Sequence, residues 1–220
     1  MIKRLLSWFA GALAVLLVAP ILAPPLLAAP YKERIGDHVV RSAVPITPQV
    51  RAAVLEADRR VAASPGAGYR ASDQSIFLTG GGWRWMWLAG NAQGAMGLTR
   101  AVNDVVVLNR IEGDKVLGGP GIGEREVAGV IAHEMTHGSL RAHFGVTVDF
   151  THPAELREGY CDWAAQESSL TDARARELLR EGRGHPALIY WSGRKKVAAA
   201  MARPGMTVDR LFAEWDSNPS

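Results

Sequence analysis

The sequence predicts an α+β domain in which a small mixed or antiparallel sheet is followed by a helix bearing His-Glu-x-x-His and a helical C-terminal part. Three observations carry this. β-rich runs bounded by glycine and polar residues, IFLT at 76–79 and NDVVVLN at 103–109, lie in the first half. Helical patterns with recognisable caps fill the second half. The strands come first and the helices later, which suits a sheet packed on helices better than alternating βαβ units.

With 220 residues, 48% of them hydrophobic and 21% charged, the chain can bury a sizeable core. It divides into a targeting segment over 1–30 and one folded domain over 31–220. The formal net charge of +3 is mild and the basic residues are scattered, so no nucleic-acid partner is expected. The single cysteine, Cys161, excludes an internal disulfide and a cysteine-based zinc finger, and reads as a small buried residue.

At the N-terminus, Lys3 and Arg4 precede an apolar run from Leu5 to Ala29, broken by Ser7, Gly11 and three prolines. This is the pattern of an apolar signal peptide or signal-anchor helix. An uncleaved anchor would keep Lys3 and Arg4 inside and put everything after Tyr31 outside the cytoplasm, on the periplasmic side of a bacterial inner membrane; cleavage would release a secreted protein. A membrane partner is therefore expected if the segment is retained.

In the folded part, Thr47-Pro48 caps a helix that ends before Pro65-Gly66. In GWRWMWLAG, Trp83, Trp85 and Trp87 alternate as on one face of a strand, with a short helix as the alternative, and read as a core stripe, a groove wall or a membrane contact. A glycine-rich loop, VLGGPGIG, leads into EREVAGVIAHEMTHGSLRAHFG, with acidic residues at its start, apolar residues at helical spacing and Gly145 as a stop. Further helices are expected over PAELREGYCDWAAQESS, from Thr171-Asp172 to about Gly182, from Pro186 through ALIYWSGRKKVAAAM, and from Thr207 towards Trp215.

HEMTH, residues 133–137, carries the chemistry. Residues four apart share a helix face, so His133 and His137 can aim at one metal ion, while Glu134 can hold and deprotonate a water there. A catalytic zinc needs a third protein ligand. His143 has the spacing of a third histidine, but Leu140 stands where a glycine would be needed to turn the chain back, so the helix carries His143 away. His152, before Pro153, matches no known spacing. Glu158 fits best. It lies 21 positions after His137 on a new helix, and two antiparallel helices would bring its carboxylate onto the histidine pair. Asp162, one turn on, could accept a hydrogen bond from a ligand histidine and fix its tautomer.

HExxH on one helix and Glu-x-x-x-Asp on the next resemble the gluzincin zinc peptidases, over residues 94–200. The resemblance implies a zincin-like fold, zinc held by His133, His137 and Glu158, Glu134 as base and Asp162 behind a histidine. Tyr190-Trp191-Ser192-Gly193 resembles the Tyr-x-x-Gly element whose tyrosine hydroxyl bonds the oxyanion, giving Tyr190 that role. Gly94-Ala95-Met96-Gly97 resembles the Gly-x-Met-Glu-Asn element at the substrate-binding edge strand of aminopeptidases. Gly97 replaces the glutamate that would hold a free amine, so recognition of peptide N-termini is not implied. The strand from Asn103 to Asn109, with Asn103 and Val105 as substrate-binding residues, could still add an extended peptide at the sheet edge. The expected activity is zinc-dependent hydrolysis of peptide or protein substrates, as an endopeptidase, outside the cytoplasm. The alternative is a non-enzymatic envelope protein that keeps a zinc-peptidase fold for binding or assembly.

Overall fold

The computed structural model describes residues 2–22, 24–27, 29–69, 74–101 and 104–215. It is a mixed α+β fold. An N-terminal helix α1 (Ile2–Leu22) leads into a hairpin, β1 (Tyr31–Ile35) and β2 (His38–Ser42), then α2 (Pro48–Ala62), β3 (Ile76–Leu78), α3 (Gly82–Ala89), β4 (Gly97–Thr99) and β5 (Val106–Leu108). A meander follows, β6 (Arg110–Glu112), β7 (Lys115–Leu117) and β8 (Glu124–Glu126). The rest is helical: α4 (Val127–Phe144), α5 (Val148–Thr151), α6 (Ala154–Ala164), α7 (Asp172–Arg180), α8 (Leu188–Met201) and α9 (Val208–Glu214).

The main sheet has the order β1-β2-β3-β5-β4, parallel between β2, β3 and β5 and antiparallel at both ends. Side chains alternate across it. Ile76, Leu78, Val106 and Leu108 pack on one face with α2 and α4, through Val54, Val61, Val130, Ile131 and Met135. Phe77, Val105 and Val107 pack on the other with Trp85 and Leu88 of α3 and with Leu27. Leu27 is thus built into the body, and Arg84 Nε donates to its carbonyl at 3.2 Å. Among the described residues, no helix is long and apolar enough to cross a membrane, so a spanning anchor has no support in the fold.

Several expectations need correction. The tryptophan stretch takes the helical alternative and not the strand: Trp85 is buried while Trp83, two positions earlier, is 53% exposed, as turning by about 100° per residue demands. Glu124–Glu126 belongs to β8 and not to the start of α4, which begins at Val127 without a side-chain cap. The β1–β2 hairpin and the β6–β8 meander lack a clear period-two signal, because their strands are short and largely charged. The edge strands of the main sheet are β1 and β4; β5 lies between β3 and β4, so the strand from 103 to 109 cannot take up a peptide. Val105 is buried on the far face of the sheet, and Asn103 lies outside the described residues.

Other boundaries follow local chemistry. Thr47, Thr171 and Thr207 accept bonds from the amides three residues on and cap α2, α7 and α9. Gly145, at φ 82°, ends α4, a conformation that costs glycine little. The tightest packing is between α6 and α8, where Gly159 meets the backbone of Gly193, and a Cβ on Gly193 would overlap the carbonyl oxygen of Glu155. This contact holds Glu158 and Tyr190, one position and three positions from it, at fixed height over α4. Gly193→Ala should therefore destabilise the protein by about 1–3 kcal/mol. Denaturant unfolding checks this, and an unchanged midpoint would mean that the helices are not in backbone contact.

Candidate metal centre and catalytic cleft

Helix α4 is buried from Val127 through Leu140, so His133, Glu134 and His137 sit on a helix enclosed by β4, α2 and α6. A polar group in such a place needs a partner. The partners come from α6. Glu158 Oε2 lies 3.2 Å from His133 Nε2 and 3.3 Å from His137 Nε2, and the two Nε2 atoms are 3.2 Å apart. Donor atoms held at about 2.0–2.1 Å around a tetrahedral zinc are themselves roughly 3.3 Å apart. The three atoms therefore form one face of such a tetrahedron. Two imidazole nitrogens in that proximity, with a carboxylate oxygen against both, repel one another unless a cation or proton lies among them.

Tautomers are set from behind. His133 Nδ1 donates to Asp162 Oδ1 at 2.7 Å, which makes Nε2 the nitrogen that faces the centre. Asp162 is held in turn by Arg125 Nη2 at 2.9 Å, and Arg125 Nε reaches Glu167 Oε2 at 3.3 Å. The guanidinium of Arg125, 7% exposed, is thus charge-matched in the interior. Arg125 lies in β8, where an acidic helix start is expected from the sequence, and its only signal there is its position ahead of the motif.

The electrostatics agree with a cation site. Burial alone would lower the His133 pKa, but its hydrogen bonds to Asp162 and Glu158 outweigh this and push it up to about 10. Burial would raise that of Glu158, but the His137 charge and the bonds from both histidines hold it well below the usual carboxylate range. Asp162 is lowered too: desolvation is overcome by His133 and Arg125.

Cys161 is the competitor for third ligand, since its Sγ and one nitrogen of each histidine lie within 4.8 Å of one another. Glu158 is favoured, because its oxygen already touches both nitrogens at the tetrahedral spacing. Burial, followed by the charges of Glu158, Glu134 and Asp162, pushes the Cys161 thiol well above its usual range, which keeps it neutral. Two other histidines, His143 and His152, face elsewhere. His143 Nε2 bonds Asp209 Oδ1 at 2.5 Å and its ring stacks on Tyr69, and His152 packs against Phe144 and Phe212.

Two cavities of about 260 Å³ each meet at this centre and share Gly97, His133, Glu134 and Tyr190. One is mainly apolar, lined by Met96, Ile122, Val130 and Ala187 with His185 on its wall; the other is charged, lined by Arg141, Asp149 and Arg157. The Tyr190 ring lies 6.1 Å from the His133 ring. Burial and the nearby Glu158, Glu134 and Asp162 push the Tyr190 hydroxyl pKa upward, so it stays protonated and able to donate. Along the cleft runs β4. Met96 and Arg100 direct their peptide groups at β5, through Asn109 N to Met96 O at 2.9 Å and Arg100 N to Val105 O at 3.0 Å. By alternation, Gly97 and Thr99 direct theirs to the free side.

The chain matches no family model, and neither the curated proteins nor the solved structures contain a match to it. The geometry must therefore be judged by its own chemistry.

Loss of the Glu158 carboxylate in Glu158→Ala should weaken zinc binding by more than about 100-fold, beyond the effect typical of residues behind a ligand, whereas Cys161→Ser should bind as wild type. Competition with a chromogenic chelator measures both; the reverse order would make Cys161 the ligand. Metal-free protein should also respond to pH. The folded pKa of His133 lies above its unfolded value of about 6.5, so its contribution to stability is complete below that pH and is lost as pH rises towards about 10. Melting curves of chelator-treated wild type and His133→Gln between pH 6 and 10 test this; equal slopes for the two proteins would contradict it.

Proposed function

We propose that the protein is a zinc-dependent peptidase of the gluzincin type with a zincin-like fold, acting as an endopeptidase on extended peptide segments outside the cytoplasm. The observation that carries the proposal is the meeting of Glu158 Oε2 with both His133 Nε2 and His137 Nε2, beside the carboxylate of Glu134. His133, His137 and Glu158 would hold the ion, a mixed nitrogen and oxygen set suited to zinc. Zinc bound there supplies a Lewis acid that lowers the pKa of water and polarises a carbonyl.

The chain's own residues supply the rest. Glu134 takes a proton from the attacking water and returns it to the leaving amine. Tyr190, neutral and half-buried across the cleft, donates to the developing oxyanion. The free side of Gly97 and Thr99 offers backbone groups to an extended substrate, and the apolar cavity accepts a side chain of the peptide. Gly97 carries no carboxylate to grip a free amine, and the cleft continues on both sides of Glu134, which favours internal bonds over terminal ones. The location outside the cytoplasm rests on Lys3 and Arg4 ahead of the apolar run from Leu5 to Ala29, with a membrane as partner only if that segment is retained.

Two variants test the reading. Glu134→Gln should retain stoichiometric zinc and lose casein hydrolysis, and Tyr190→Phe should lower kcat by about 10²–10³ with little change in KM. If wild type and Glu134→Gln both hold zinc and both are inert on a broad peptide library, the site serves binding or assembly instead.

A further inference from the structure

We propose that Thr99 is a positioning residue that couples the pairing of a substrate strand on β4 to the alignment of Glu134; the inference deepens the peptidase reading above and rests on it. Thr99 faces two ways. Its backbone looks out from the free side of β4, where its carbonyl takes a bond from Arg141 Nη2 at 3.3 Å. Its side chain turns onto α4, where Oγ1 lies 2.8 Å from Glu134 Oε2 and 2.6 Å from Glu134 O.

A hydroxyl has one proton, so the two acceptors share it, and both belong to Glu134. The carboxylate is thereby tied to its own turn of helix, with Oε2 occupied and Oε1 left for water. Neighbouring Gly97 completes the arrangement. A Cβ there would stand 3.0 Å from Glu134 Cγ, 3.2 Å from Oε1 and 2.9 Å from Val130 Cγ1, so any side chain at this position would press on the base. The lack of a side chain at Gly97 is thus what lets the base sit against β4.

The coupling follows from the strand. β4 is three residues long and pairs with the sheet on one side only. A peptide on its outer side bonds the remaining groups of Gly97 and Thr99 and holds the hydroxyl on Glu134. Contacts far from the scissile bond are then spent on the chemical step, so a longer substrate gains kcat and not only affinity.

The test uses zinc-loaded full-length protein and a series of peptides that share one cleaved core and are extended at both ends. Wild-type kcat should rise with length. Thr99→Val should lower kcat on the longest peptide by more than about tenfold and up to about 100-fold, the effect of a misplaced catalytic group, and should flatten the length dependence, with KM changed less than about twofold. Thr99→Ser should restore both, Thr99→Ala should behave as Thr99→Val, and all should keep wild-type zinc content and melting temperature. A kcat for Thr99→Val and Thr99→Ala within twofold of wild type, or a Thr99→Ser variant no better than these, overturns the proposal alone. A zinc-loaded wild type that cleaves no peptide overturns the peptidase reading and this inference with it.

Discussion

The structure depends on one carboxylate pressed against two imidazoles in the interior. Ionisable groups are left in a core only when they neutralise one another or hold a metal. His133 and His137 occupy the middle of a helix buried along fourteen residues, where leucine would pack more cheaply. Glu158 answers them from α6, Asp162 answers His133 from one turn further, and Arg125 answers Asp162 from β8. Each group is intelligible only through the next, and the chain of partners leads inward to a point where positive charge is wanted.

Much of the surrounding packing can be understood as keeping that point in place. The glycine contact between α6 and α8 lets two helices approach at backbone distance, which brings Glu158 and Tyr190 to the wall of one cavity. The absence of a side chain at Gly97 lets β4 lie directly on α4. The proposed chemistry needs a base, an oxyanion donor and a substrate-pairing edge within one short cleft. Glu134, Tyr190 and β4 come from three separate elements, and the two glycine contacts bring them together.

How much of this was legible in the sequence depended on whether the signal was local. Threonine caps, Gly145 and the helical spacing around HEMTH are local, and they mark the starts of α2, α7 and α9 and the end of α4. The pairing of Glu158 with the histidines was legible because two helix patterns at short separation leave few ways to pack. What failed was non-local. β4 has three residues and no alternation to detect, whereas the longer apolar run of β5 carries the stronger strand signal. Strand order is decided by which residues pair across the sheet, and no single stretch carries that information. The tryptophan stretch alternates as a strand would, yet the glycines on either side of it and the burial of Trp85 and Leu88 on the sheet select a helix. Thr99 and Arg125 had no motif at all: their roles exist only once β4 and β8 have been brought against α4.

X-ray absorption at the zinc edge of the loaded protein tests the central claim most directly. The account predicts a shell of nitrogen and oxygen scatterers at about 2.0–2.2 Å that includes two imidazoles and no sulfur. A sulfur scatterer at about 2.3 Å, or a shell with a single imidazole, would contradict it.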